Sequence, residues 1–192
     1  MNHQLSTIVR EQSAPTPPIN YQLSTMNHQL STSNNKQQNQ LGPPYLSLQI
    51  EAQTRIALPM QSTQEVLRVP SLRITPIPNL NPAIIGLLNQ RSRIFFVVDL
   101  ALILGLQSNL KSQREYNIAI IRDGKNSLGL AVPEIKGMTR ISEDKIKSPI
   151  GTISPNLIPY LRGCIFDSNN LVLILEPSAI MNYELYSEPK CK

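Results

Sequence analysis

The residues of this chain best suited to chemistry are few, and their spacing serves little of it. Both histidines, His3 and His28, lie in a polar N-terminal stretch, which leaves the rest of the chain without the commonest general base and argues against a Ser-His-Asp or Cys-His site. Cysteine occurs at 164 and 191 alone, giving neither zinc spacing nor a disulfide framework. Cys164, between Gly163 and Ile165, has the setting of a small buried core residue. The neighbours Glu143 and Asp144 sit in a polar, Lys-flanked connection, the setting of a solvated turn rather than of an acid/base pair. Asp99 closes an apolar run just before the helix expected in "ALILGL", where its carboxylate would accept from the free amides that open a helix. The loop "RDGKNS" has Ala119 and Asn126 where a phosphate loop needs Gly and Ser or Thr, and it lacks the acids of a calcium loop. No metal or other cofactor is expected. An enzyme would have to depend on a Ser or Lys nucleophile, so a binding role is the stronger expectation.

A different constellation interrupts "IIGLLNQRSRIFFVVDL", residues 84–100, where Asn89-Gln90-Arg91-Ser92-Arg93 forms a doubly basic knot between two apolar runs. From its residues alone the knot is either a turn between strands or a surface that a partner reads. The net charge of +5 would suit a polyanion. The 18 basic residues are nevertheless scattered among 13 acidic ones, and aromatics are 5% with no Trp, so stacking platforms for bases are scarce. A small β-barrel binding nucleic acid through Arg68, Arg73, Arg91, Arg93 and Arg114 is the alternative reading.

The elements that must position these residues follow from periodicity. "YLSLQIE" alternates apolar and polar as a half-buried strand does. "RIALP" continues as a second strand, and "QEVLRV" suits either a helical turn or a short strand. Pro70, Pro76, Pro78 and Pro82 forbid a regular helix between them and require an extended connection. "IFFVVDL" is expected as a buried strand, and "ALILGL" as a short helix stopped near Gly105. "YNIAIIR" and "LGLAVPEI" flank Asp123-Gly124-Lys125-Asn126, and "YLRGCIF" and "LVLILE" flank Asp167-Ser168-Asn169-Asn170; both tetrads suit hairpins. A closing helix, "PSAIMNYEL", opens at Pro177. Many short strands with few helices indicate an all-β architecture, and two small barrels would account for the count.

Residues 1–44 are rich in Gln, Asn, Ser, Thr and Pro and carry Arg10, Glu11 and Lys36 as their charges, so they are expected to be a disordered tail. "MNHQLST" occurs at 1–7 and again at 26–32, a short identical polar repeat of the kind coding duplication leaves, and Met26 would allow translation to begin there. The expected organisation is this tail, a domain over 45–185 and a flexible end over 186–192. The start has no apolar core of signal-peptide length, and no window reaches the roughly 18 apolar residues of a membrane span. A cytoplasmic protein is the default.

The order "QEVLR", a Pro-containing connection, Gly86-x-x-Asn89-x-Arg91, Val98-Asp99-Leu100, then "SLGLAVPEI" and "YLRGCIF" resembles the CheW-like adaptor family of bacterial chemosensory systems over about residues 43–185. The resemblance implies two intertwined five-stranded SH3-like β-barrels with short helices and no catalysis. It also implies a function: coupling methyl-accepting-type chemoreceptors to a CheA-type histidine kinase in chemotaxis, phototaxis or twitching motility, at membrane-associated arrays without membrane insertion. Carried over by position, the contact residues are Thr63, Glu65, Gly86, Leu88, Asn89 and Arg91. Glu65 and Arg91 would lie close as a charge pair. Gly86 would allow close backbone approach and Leu88 would offer an apolar anchor, while Arg93 stays a surface charge. The chain has Ser92 where the family usually has Gly, so a left-handed turn there would cost about 1–2 kcal/mol or be rearranged. It has Phe96 where Pro is usual, and Pro133, where Asp is usual, suggests a sheet edge.

Overall fold

The computed structural model describes residues 42–110, 113–151, 153–167 and 170–183. The expectations for the tail up to residue 41 and for residues 186–192 lie outside the described residues, as do the tips of the second hairpin at 168 and 169. Eleven strands are described, in the order β1 Pro44–Gln49, β2 Thr54–Pro59, β3 Thr63–Pro70, β4 Ile74–Thr75, β5 Ile84–Gln90 and β6 Arg93–Asp99, then β7 Glu115–Asp123, β8 Asn126–Val132, β9 Glu134–Arg140, β10 Leu161–Asp167 and β11 Asn170–Leu175. Two short helices accompany them, α1 Leu100–Ile103 and α2 Pro177–Met181.

The strands divide into two sheets by an exchange along the chain. One sheet has the order β10-β11-β2-β1-β9 and the other β3-β7-β8-β6-β5-β4. The chain therefore starts in the first sheet, builds the second, and returns to finish the first. Both sheets use one plan, in which two antiparallel hairpins are joined edge to edge by a parallel pair: β11 with β2 in one, β6 with β8 in the other. The expected pair of intertwined barrels is thus present, one of five strands and one of six, the sixth being the two-residue β4.

Period two in the sequence explains how both sheets are filled. Along β7, Ala119 and Ile121 enter one large core, while Ile118 and Ile120 enter a smaller one on the other face. Along β2, Ile56 and Leu58 enter the large core and Ala57 a third cluster with Tyr45, Ile141 and Ile174. The large core takes side chains from both sheets, including Leu46, Leu48, Leu128, Leu130, Leu173 and Leu175, so it glues the barrels together. Each barrel keeps a smaller core of its own. Strands buried on both faces must be nearly continuous in apolar residues, which is why these runs carry so little polar alternation. Each fully buried Leu or Ile contributes about 1.5–3 kcal/mol.

Several local expectations resolve. "QEVLRV" is strand β3, and the Pro-rich connection contains one 3-10 turn, Ser71–Arg73, and the short β4. Asp99 caps α1: Oδ1 accepts from the amides of Ala101 at 2.9 Å and Leu102 at 3.4 Å, and Oδ2 accepts from the Ser108 hydroxyl. These bonds explain how the one buried charged side chain among the described residues is tolerated. Two expectations need correcting. Pro133 is in neither sheet: it links β8, which runs between β7 and β6, to β9, the edge strand of the other sheet, and its carbonyl accepts from Asn117 Nδ2 at 2.8 Å. The strand "IFFVVDL" is buried only from Phe95 onward; Arg93 and Ile94, next to the β5–β6 turn, are exposed.

Candidate functional site

The β5–β6 hairpin closes through two residues, Arg91 and Ser92, after Gln90 pairs with Arg93. Both have positive φ, 48° and 61°, the backbone of a type I′ turn whose twist matches the flanking strands. The turn is therefore formed in full with Ser in place of Gly and is not rearranged, at a cost of about 1–2 kcal/mol per left-handed residue. Its consequence is the direction of the Arg91 side chain. Arg91 Nη2 reaches Glu65 Oε1 at 3.2 Å, with the arginine side chain 78% exposed and the glutamate 21%.

This contact spans the sheet. Glu65 lies on β3, at one end of the strand order, and Arg91 follows β5, near the other. Two ends of one sheet can touch only if the sheet curls round, so the pair marks the closure of the second barrel. Arg73, immediately before β4, donates from Nη2 to the Asn89 carbonyl at 3.4 Å and so extends the β4–β5 pairing toward the turn. Beside the pair is a cleft of about 240 Å³, with Gln64, Glu65, Gln90 and Arg91 on its rim and Phe95 and Ile120 from the small core at its floor. The cleft is polar at the rim and apolar below, which suits a side chain of a docking protein.

A profile of the CheW-like domain matches residues 44–185, well over half of the chain. The chain belongs to the CheW-like domain family. It is 28% identical over 127 residues to protein PilI of Pseudomonas aeruginosa, covering 66% of this chain and 68% of that protein. Over 108 residues it is 28% identical to the chemotaxis protein CheW of Thermotoga maritima, covering 56% of this chain and 69% of that one. The crystal structure of the scaffolding protein TtCheW from Thermoanaerobacter tengcongensis superposes with a TM-score of 0.61 at 21% identity, over 70% of this chain and 89% of that one, and shares its fold.

The CheW-like motif residues divide by depth. Glu65 and Arg91 meet, and Asn89 is exposed beside them on β5. Thr63 begins β3, its hydroxyl donating to the Pro59 carbonyl at 3.1 Å, next to a bulge between Thr63 and Glu65. Gly86 and Leu88 lie beneath the surface. A Cβ on Gly86 would stand 2.3 Å from the Thr75 carbonyl oxygen, so the close approach it permits is that of β4. Leu88 is 0% exposed, packed in the small core with Ile74 and Phe95. It is no surface anchor: the alternation that puts Asn89 outside puts Leu88 inside.

The structure adds residues that sequence patterns did not single out. Gln64, Gln90, Phe95 and Ile120 line the cleft although they lie on four different strands; only the curl of the sheet brings them together. Of the arginines in the nucleic-acid alternative, Arg68 bonds Glu115 at 3.0 Å and Arg91 bonds Glu65, so two of the five already face carboxylates.

The other candidate groups have structural surroundings. Burial raises the Cys164 thiol above its ordinary pKa, keeping it protonated. The Ser142 hydroxyl lowers Asp144, and Glu143 bonds Arg162 at 3.1 Å, consistent with a solvated turn. Among the described residues no group of three or more His, Cys, Asp or Glu is arranged to hold a metal, and no helix is long and apolar enough to cross a membrane.

Proposed function

We propose that this chain is a non-enzymatic adaptor that couples methyl-accepting-type chemoreceptors to a CheA-type histidine kinase, working in the cytoplasm at receptor arrays. The observation that carries the reading is the Glu65–Arg91 pair, an exposed guanidinium held at a fixed angle by a strained turn. Exposed ion pairs contribute only about 0–1 kcal/mol to folding. Strain at an outlying backbone conformation is commonly retained at sites of function, so the pair is better understood as presenting Arg91 and Asn89 to a partner. Glu65 orients the guanidinium, Thr63 fixes the entry to β3, and Gly86 and Leu88 hold β5 in register from beneath. Membership of the CheW-like family and a relative named for chemotaxis support the partner classes.

The test is co-precipitation with a receptor signalling fragment and the kinase. Arg91→Glu should leave the circular dichroism spectrum and melting temperature nearly unchanged while abolishing recovery of both partners. Unchanged recovery by that variant would remove the pair from the contact.

A further inference from the structure

A second surface shares Arg93, Phe95 and Ser127 with the cleft and includes none of the motif residues. Arg93 at the start of β6 and Arg122 and Lys125 around the β7–β8 turn line a groove of about 360 Å³ together with Ile94, Phe95 and Ser127. Arg93 opens β6 and Lys125 stands in the turn just before β8, the parallel neighbour of β6, so both reach the same groove. Arg122 is fixed by its Nε donating to the Gly124 carbonyl at 2.7 Å across the turn.

None of these three cations is in an ion pair among the described residues, whereas Arg68, Arg91 and Arg162 each face a glutamate. Asp123, next to Arg122 in the chain, bridges none of them. Three uncompensated like charges on one ledge raise a positive local potential that an anionic partner relieves. In their midst Ile94, the second residue of β6, is 69% exposed, although the strand from Phe95 onward is largely buried. An apolar side chain ringed by cations matches a carboxylate-rich peptide that also carries an apolar residue. The exposed Ile94 side chain is of no use to a phosphate backbone, and the one ring at the groove, Phe95, is only 7% exposed and so unavailable to stack on a base.

We propose that this ledge docks an acidic segment of a partner protein, with carboxylates on Arg93, Arg122 and Lys125 and an apolar side chain against Ile94. The proposal extends the adaptor reading to a second contact. Its test uses neither receptor nor kinase, so the two can fail separately.

The full chain, labelled with nitrogen-15, is titrated with a synthetic peptide of Glu and Leu, with a Lys and Leu peptide, and with a short DNA duplex. The expected result is amide shift changes concentrated at Arg93, Ile94, Arg122 and Lys125 with the acidic peptide alone, weakening as salt is raised. Lys125→Glu with Arg122→Glu should reduce affinity about tenfold or more, and Ile94→Ser should reduce it several-fold without altering charge, in variants whose spectra otherwise match the parent. Arg91→Glu should reduce it far less. The proposal is overturned by absent shifts at millimolar peptide, by shifts spread equally over Arg68 and Arg73, by indifference to Ile94→Ser, or by tighter binding of the duplex at the same residues.

Discussion

At the residue scale, the decisive choice is a left-handed turn made without glycine. Arg91 must carry a side chain if it is to bond Glu65, but Ser92, at φ 61°, has no such duty. Ser92→Gly should therefore relieve strain. Set against the greater freedom of glycine in the unfolded chain, a net gain of up to about 1 kcal/mol is expected, read as a higher urea midpoint with unchanged partner recovery. A lower midpoint would mean that the Ser92 side chain makes a stabilising contact that outweighs the strain. Much at this scale was legible in the sequence: the cap at Asp99 and the buried thiol of Cys164 followed from residue type and position, and the charge partner of Arg91 from the resemblance to the CheW-like family. Leu88 was not, because a motif position says that a residue is needed and not which way it points. Alternation along β5 supplies the direction, placing Leu88 inward between the exposed Asn89 and the partly exposed Leu87.

At the scale of elements, hairpins and caps were legible because their determinants are local. Gly124 and Lys125 turn β7 into β8 as the tetrad required, and Pro177 opens α2. The pairing of β11 with β2 and of β6 with β8 was not legible, since parallel partners are far apart in sequence and leave no turn between them. Asp99 joins these levels: it ends β6, caps α1 and, through Ser108, holds the segment that follows the helix. Asp99→Ala leaves two backbone amides and the Ser108 hydroxyl without their acceptor. The expected cost is about 1–3 kcal/mol, measured by urea denaturation, with Asp99→Asn losing less. A cost near zero would mean that water replaces the carboxylate and that the cap is incidental.

At the scale of the whole molecule, the exchange of strands between the sheets and the core they share make two barrels into one body with two kinds of surface. One bears the Glu65–Arg91 pair and its cleft, and the adjoining one bears the unpaired cations around Ile94. Neither surface shows in composition, because their residues come from strands dispersed along the sequence and only sheet curvature gathers them. A protein with several modest contacts serves as a bridge when partners are held close together, since the second contact then forms at high effective concentration. The account stands or falls on bridging, and sedimentation of the histidine kinase with receptor signalling fragments displayed on vesicles measures it directly. Kinase should pellet with the vesicles when this chain is present and stay in the supernatant when it is absent or replaced by Arg91→Glu. Kinase that pellets equally in all three mixtures, or in none although the chain itself binds the vesicles, would contradict the account.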